Sequence, residues 1–524
     1  MAGGLGCVEG LGAIASMRRF RSAQKLAQLL LGVAALSATA GRLQAQNADG
    51  TATAAERSPA AAGAGSTSGN VKQEAPHNGG FFQRLMKAYS DDWFGNSAES
   101  PEPARRRYPA PVSSPPFPFS DWPYGGSPTI GAPDTNVGPL MTALYTGENG
   151  KAWENSRVKL YGWVNGGFNV STSDKHYGNA PAAYYIQPNS IQLDQAAFYI
   201  ERSPDTVQTD HFDWGFRLTQ LYGLDYRFTT AKGYFSQQLL VNNNKYGYDP
   251  VMAYVDLYWG QIAGGMNIRI GRYISLPDIE AQLAPDNYTY SHSILYTFDV
   301  YTQTGINVTT KLSDHWLVQV GLSAGNDVAP WAGEPNAKPT FNACVGYTWH
   351  AGGDNVYLCD NSTNSGKYAY NNLQAYYATW YHKINNSWHM ATESWYMWEK
   401  NVPNVNNPNA PSLLISGANG AICNSASELK CYAPEWAIVN YVEKQFSRKD
   451  YLTIRNEYFN DLKGQRTGFR TQYSEHLIGW GHWIGSTVLF RPELRFEHAY
   501  DAPAYNAGTK KSQLVFASDV IFHF

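Results

Sequence analysis

Charge is scarce in this chain. Among 524 residues, Lys and Arg number 40 and Asp and Glu 43, together 16%, against roughly 25% in an ordinary soluble domain. The two signs nearly cancel, leaving a net charge of −3, so no broad electrostatic field recruits nucleic acid. Long apolar runs are also missing. Only residues 29–40 (LLLGVAALSATA) approach the character of a bilayer helix, which excludes a membrane protein built of many apolar helices. Cysteine is sparse at five. Cys7 lies near the N-terminus, and the others form two close pairs, Cys344 with Cys359 and Cys423 with Cys431. Local disulfides in an oxidising compartment suit that spacing. The alternative, a zinc centre, lacks both a C-x-x-C spacing and a nearby His pair. No P-loop, H-E-x-x-H or dinucleotide fingerprint occurs, and no cofactor is expected.

Aromatics, by contrast, are plentiful at 14%, with 36 Tyr and 16 Trp, and glycine numbers 48. Little charge and much Tyr, Trp, Gly, Asn and Thr suggest many strands with wet faces. Soluble β-sandwiches and outer-membrane barrels both fit that composition.

The N-terminal 45 residues read as a signal peptide. A basic stretch, Met17-Arg18-Arg19-Phe20-Arg21, precedes the apolar run, and Ala38-Thr39-Ala40 and Leu43-Gln44-Ala45 offer small-residue cleavage sites. Met17 is the expected start. Residues 46–156 read as a periplasmic linker, first Ala/Gly/Ser-rich and flexible, then Pro-rich and disordered, with ten prolines between Pro101 and Pro133. Within it Phe82, Leu85, Met86, Tyr89 and Trp93 recur at helical spacing, which suits either a short amphipathic helix at 81–93 or, the favoured reading, only a marginal helix in a disordered tail. Arg105-Arg106-Arg107 reads as a solvated charge cluster.

From 157 to 524 the grammar changes. Ile306, Val308 and Leu312 alternate with Asn307, Thr309 and Lys311. After Ser313-Asp314-His315, Trp316, Val318, Val320 and Leu322 alternate with Gln319, Gly321 and Ser323. This is a hairpin with one apolar and one polar face. Such segments recur about 14 times, and the connections mostly alternate between long and short. A soluble sandwich has no reason to sort its loops this way. A transmembrane antiparallel barrel has, with long loops outside and short turns in the periplasm. In lipid the apolar face points outward and charge faces the lumen. Both cysteine pairs then fall in long outer loops, as staples at the cell surface. Pairing across the two loops is the alternative, since four cysteines allow three connectivities.

The chain ends Asp519-Val520-Ile521-Phe522-His523-Phe524. Outer-membrane barrels resemble one another in such a strand, with a terminal aromatic and apolar residues at every second position. Phe516, Val520, Phe522 and Phe524 match, with Ser518 the departure, and the barrel assembly machinery is the expected reader. Further segments carry a family resemblance: residues 193–202 (LDQAAFYIER), 225–230 (DYRFTT), Gly271-Arg272-Tyr273, and Pro285-Asp286-Asn287-Tyr288 with Ser291-His292-Ser293. The chain resembles the OmpL-like putative β-barrel porin family over most of 157–524. The resemblance implies an outer-membrane, porin-like barrel and names an architecture more firmly than a substrate.

A pore hypothesis follows. The 274–302 loop sits where general porins fold a loop inward. It carries Asp278, Glu280, Asp286 and His292, with Ile274, Leu276, Ile279, Leu283, Ile294 and Leu295 to pack it on the wall. Inward positions of the expected strands offer Arg269, Arg455, Arg491 and Arg495, interleaved with Glu457, Glu493 and Glu497. Acid on one side and Arg on the other set a transverse field in a constriction. The alternative is that the loop carboxylates are solvated at the surface while the Arg/Glu ladder satisfies itself.

Two motif matches lead nowhere. Gly321-Leu322-Ser323-Ala324-Gly325 fits G-x-S-x-G, yet it falls on a strand rather than a strand-to-helix elbow. The segment 360–364 (DNSTN) lacks the sixth-position Gly and twelfth-position Glu of a calcium loop. Trp395, Trp398, Trp480 and Trp483 suit either sugar stacking in a pore or girdles at the lipid interfaces. The leading expectation is a non-catalytic diffusion channel for small hydrophilic solutes, surrounded by outer-membrane lipid, with a homotrimer suggested by analogy. A surface binding or adhesion barrel with a closed lumen is the rival. A lipase-type barrel would need a Ser/His pair on the lipid-facing wall, and none can be placed.

Overall fold

The computed structural model describes residues 79–95, 130 and 137–524, apart from 175–177, 182–183, 275–277, 334–335, 337–338, 350–353, 386, 415–419 and 448. The signal peptide, the Met17 start, Arg105–Arg107 and nearly all of the Pro-rich stretch lie outside the described residues.

Sixteen strands close into one barrel: β1 (Val158–Ser171), β2 (Ser190–Arg202), β3 (Phe212–Gly223), β4 (Gly247–Trp259), β5 (Met266–Ile274), β6 (Thr302–Lys311), β7 (Trp316–Asn326), β8 (Thr340–Trp349), β9 (Asp354–Thr363), β10 (Gln374–Lys383), β11 (Trp388–Pro403), β12 (Lys430–Gln445), β13 (Asp450–Asp461), β14 (Thr471–Ile484), β15 (Val488–Ala499) and β16 (Ser512–His523). Each pairs antiparallel with the next in the chain, and β16 pairs back onto β1 from Trp163↔His523 to Ser171↔Val515. Closure leaves no edge, so the backbone donors and acceptors of the wall pair along the ladders rather than with water.

Alternation becomes an inside and an outside. On β16, Leu514, Phe516 and Val520 are 42–45% exposed, while the intervening Val515, Ala517 and Asp519 are at most 1% exposed. The greasy side chains stand outward and the interior is filled. That inverts a soluble fold and matches a lipid-facing wall. Tight turns are closed by their own side chains, as the sequence chemistry allows. Asn385 Oδ1 accepts from the amides of Ser387 (2.9 Å) and Trp388 (3.1 Å), and Ser313 Oγ from those of His315 (3.2 Å) and Trp316 (3.1 Å).

The expected count of about 14 strands is corrected to 16. The segment read as one outer loop, 326–368, contains β8 and β9. Their alternation is blurred because inward positions carry apolar or small residues, Cys344, Gly346, Tyr357 and Cys359, in place of charge. The placement of the first cysteine pair changes with it. Cys344 and Cys359 pair with each other, but as directly opposed residues of β8 and β9 on the inner wall, not as a loop staple. Cys423 bonds Cys431 where the β11–β12 loop rejoins the wall, packed with Val402, Ala421 and Ala433. Replacing Cys423 and Cys431 by serine is expected to leave the barrel folded while opening segment 405–429 to proteinase K in proteoliposomes. Unchanged cleavage would show that other contacts hold that loop.

Among the described residues three helices precede the wall: α1 (Phe81–Phe94), α2 (Pro139–Tyr145) and α3 (Gly150–Ser156). Pro139 opens α2, where a missing amide costs nothing. Among the described residues no helix is long and apolar enough to cross a membrane. α1 sits at the short-turn end, where Asp92 accepts from the amide and hydroxyl of Ser486 (2.8 and 2.7 Å). The neighbouring Gly485, at φ +59°, leaves the space that Asp92 occupies.

Candidate functional site: a loop seated in the lumen

Ile274 and Thr302 are paired neighbours on β5 and β6, so the connection between them leaves and returns at one point of the wall. Residues 278–301 between them do not cover the surface. Asp278, Glu280, Asp286 and His292 are all at most 4% exposed, so the surface-solvated alternative for these carboxylates is corrected. The segment is first tied to itself. Asn287 donates to the carbonyls of Ala281 (2.7 Å) and Leu283 (3.0 Å), and its Oδ1 accepts from the Ala281 amide (2.8 Å). Glu280 accepts from the amide (2.9 Å) and hydroxyl of Ser293. Ser293 in turn caps the single helical turn Ile294–Thr297 by accepting from the Tyr296 amide. Ile279, Leu283, Ile294 and Leu295 are fully buried.

A loop that leaves water must find partners for its backbone, because each unpaired buried amide or carbonyl is costly. The far wall supplies them with charged side chains. Carboxylates take the amides: Glu393 of β11 accepts from Ile279 (2.9 Å), Glu493 of β15 from Tyr290 (3.0 Å) and Ser291 (3.1 Å), and Glu457 of β13 from Ile294 (2.8 Å) and Leu295. Guanidinium groups take the carbonyls. Arg455 of β13 donates to Ser291 (2.7 Å) and His292 (3.1 Å), Arg491 of β15 to Ala284 (2.9 Å) and Asn287 (2.7 Å), and Arg495 of β15 to His292 (2.9 Å). On β2, Gln195 both donates to the Gln282 carbonyl and accepts from the Ala284 amide. The segment therefore crosses the barrel from β5 and β6 to β11, β13 and β15.

Five of the seven inward charges named from sequence thus meet at one place: Arg455, Glu457, Arg491, Glu493 and Arg495. The three arginines are paired with other carboxylates, Arg491 with Asp519. Arg455 pairs with Glu475 (2.9 Å) and approaches Glu280 (3.7 Å), and Arg495 pairs with Glu497 (2.7 Å) and Glu475 (3.5 Å). Glu497 also accepts from Gln513. Arg269 stands apart, bidentate on Asp256 (2.8 Å) and over the Tyr254 ring. His292 turns a ring nitrogen to the Ala281 carbonyl (2.6 Å) and stacks on Tyr184. Asp286 lies in the turn Ala284–Asp286, between the two carbonyls that accept from Arg491.

Several contributors escaped the sequence reading: Glu393, Tyr441, Glu475, Asp299 and Gln195. Alternation within their strands would have turned Glu393 and Glu475 inward, but only the seated loop shows what they meet. Asp278, Asp299 and Glu393 have carboxylate oxygens within 4.8 Å of one another, the group among the described residues whose spacing suits a metal ion. The same oxygens can share protons, and Tyr377 already donates to Asp299. At the loop's exit Asp327, just beyond β7, accepts from the Thr302 amide (2.7 Å) and hydroxyl (2.9 Å), and burial raises its carboxyl to about 6.

The remaining candidates divide by face. Trp398 and Trp480 are on the outer wall, Trp398 beside Tyr376 near the long-loop end and Trp480 beside Phe490 toward the short turns, while Trp395 and Trp483 are buried inside. Ser323, of the G-x-S-x-G match, sits in β7 opposite Gly305. Phe516 and Val520 stand outward, Phe522 lies under α1, and Phe524 closes the seam by exchanging backbone hydrogen bonds with Gly162.

A family model described as putative beta-barrel porin-2, OmpL-like, matches residues 157–524. No curated protein matches the chain. Among solved structures, the chain is similar to an anion-selective porin from Comamonas acidovorans (10% identity, TM-score 0.45, 70% of this chain and 99% of that one). It is also similar to the outer membrane channel DcaP of Acinetobacter baumannii (10%, 0.43, 70% and 97%). A third likeness is to the trimer form of OmpT from Vibrio cholerae (11%, 0.42, 70% and 99%).

Proposed function

The chain belongs to the putative beta-barrel porin-2, OmpL-like family, and from that membership we propose that it passes small hydrophilic solutes passively across the outer membrane. On this reading the cross-section of the path is set by how residues 278–301 are seated. The observation that carries it is the loop's crossing of the lumen on charged side chains from the opposite wall. Long loops at one end and short turns at the other support an orientation with the turns, and the segment before β1, in the periplasm. A homotrimer belongs to the same proposal.

One observation favours the rival, a surface-binding barrel with a closed lumen. Arg455, Arg491 and Arg495 are among the largest fully buried side chains, so protein fills the lumen at this level. Planar-bilayer recording separates the two. Discrete conductance steps from the purified protein are the expected result, and a silent bilayer containing verified, folded barrel would favour the binding surface. Selectivity tests the residues. Asp278→Asn with Glu280→Gln removes one carboxylate beside Glu393 and one beside Arg455, so the reversal potential in a KCl gradient is expected to move toward anion preference. An unchanged reversal potential would take both carboxylates out of the path.

A further inference from the structure

We propose that α1 is an interfacial helix, lying in the lipid leaflet around the short-turn rim and clamped there to the last strand of the barrel. The proposal rests on the outer-membrane reading above. The clamp is built from the C-terminal half of the helix. The Tyr89 ring stacks on Phe522 with centroids 5.2 Å apart, and its hydroxyl donates to the His523 carbonyl (3.0 Å). Trp93 Nε1 donates to Thr487 Oγ1 (2.7 Å) in the β14–β15 turn, beside the Asp92 contacts already described.

Phe522 decides what covers the rest. It belongs to the outward row of β16, in line with Phe516 and Val520, so α1 is seated on the face the barrel turns to lipid and not in its mouth. The level is also set. Phe522 pairs with Val488, one dyad toward the turns from the Phe490↔Val520 pair that carries the Trp480–Phe490 aromatic contact. Trp rings at a membrane protein's outer wall collect at the headgroup level, which places α1 at the edge of the apolar belt.

The helix presents one apolar stripe, Phe82, Met86, Tyr89 and Trp93, at spacings of four, three and four residues. The barrel covers the end of it, burying Tyr89, while Phe82 is 76% and Met86 65% exposed. The open half continues the surface that already faces acyl chains, which is the arrangement of a helix lying in the membrane plane.

Spin labels test this in the full-length protein, reconstituted in phosphatidylcholine vesicles. Cysteine is introduced singly at Met86, at Lys87 on the polar flank and at Phe516 on the barrel wall, in a Cys7→Ser background that leaves the disulfides in place. Collision with oxygen, which concentrates in lipid, is compared with collision with a water-soluble nickel chelate. The expected result is oxygen-dominated relaxation at Met86 and Phe516 and chelate-dominated relaxation at Lys87. Lipid exposure at Phe516 with water exposure at Met86 would overturn the interfacial helix alone. Water exposure at Phe516 as well would overturn the membrane reading itself. Spin–spin broadening at Met86 that disappears on dilution with unlabelled protein would replace lipid by a second copy of the chain, and would also overturn the proposal.

Discussion

Replacing residues 280–293 with a short glycine–serine linker is expected to raise single-channel conductance several-fold while the barrel still folds. The wall closes through its own ladders, from β1↔β2 round to β16↔β1, and none of those pairings uses the loop. The loop instead fills the lumen between β5 and β6 and the opposite strands. Removing it exposes Arg455, Glu493, Arg491 and Arg495 to water, which hydrates them in place of loop amides and carbonyls. Charged groups are thus not left buried and unpaired, the situation that makes truncation of one partner so costly. The measurement is conductance in planar bilayers, with the heat-modifiable electrophoretic shift as the check on folding. An unchanged conductance from folded protein would mean that the loop does not limit the path.

A single substitution at the centre of the network should act on stability instead. Arg455 donates to Glu475 (2.9 Å), Tyr441 (3.0 Å), Thr289 (3.1 Å) and two loop carbonyls, and it is fully buried. Arg455→Met keeps the bulk, removes the charge and leaves Glu475 and Glu280 with less compensation. Losing one member of a buried, hydrogen-bonded ion pair costs about 3–5 kcal/mol. The expected outcome is a clear fall in the urea midpoint of the refolded barrel in lipid vesicles. Adding Glu475→Gln removes part of the buried negative charge, so the double variant should recover some of that loss. A strictly additive double variant would show that the two side chains do not act as a pair.

These expectations rest on features of unequal legibility. Alternation was readable wherever the inner face is polar and the outer face apolar, as in Ile306, Val308 and Val320 against Asn307, Thr309 and Gln319. It failed at β8 and β9, where Cys344, Tyr357 and Cys359 turn inward among Asn342, Asn355 and Asn361, so the contrast between the two faces is weaker. The same cause misplaced the first cysteine pair, since a missed hairpin turns strand residues into loop residues. The acidic and apolar content of the 274–302 loop was equally visible. Its partners were not, because a carboxylate that accepts a loop amide looks the same in sequence as one that faces water.

By itself, then, the sequence determined the kind of wall: period-two segments, turn residues between them and too little charge for a soluble surface leave lipid as the solvent for the greasy face. Only the tertiary structure decided what happens inside. Ile294 and Glu457 are 163 positions apart, and Ser291 and Glu493 are 202 apart. Those pairs meet because closure and strand register bring the far wall level with the loop, and a backbone cut off from water takes the nearest charged group as its partner.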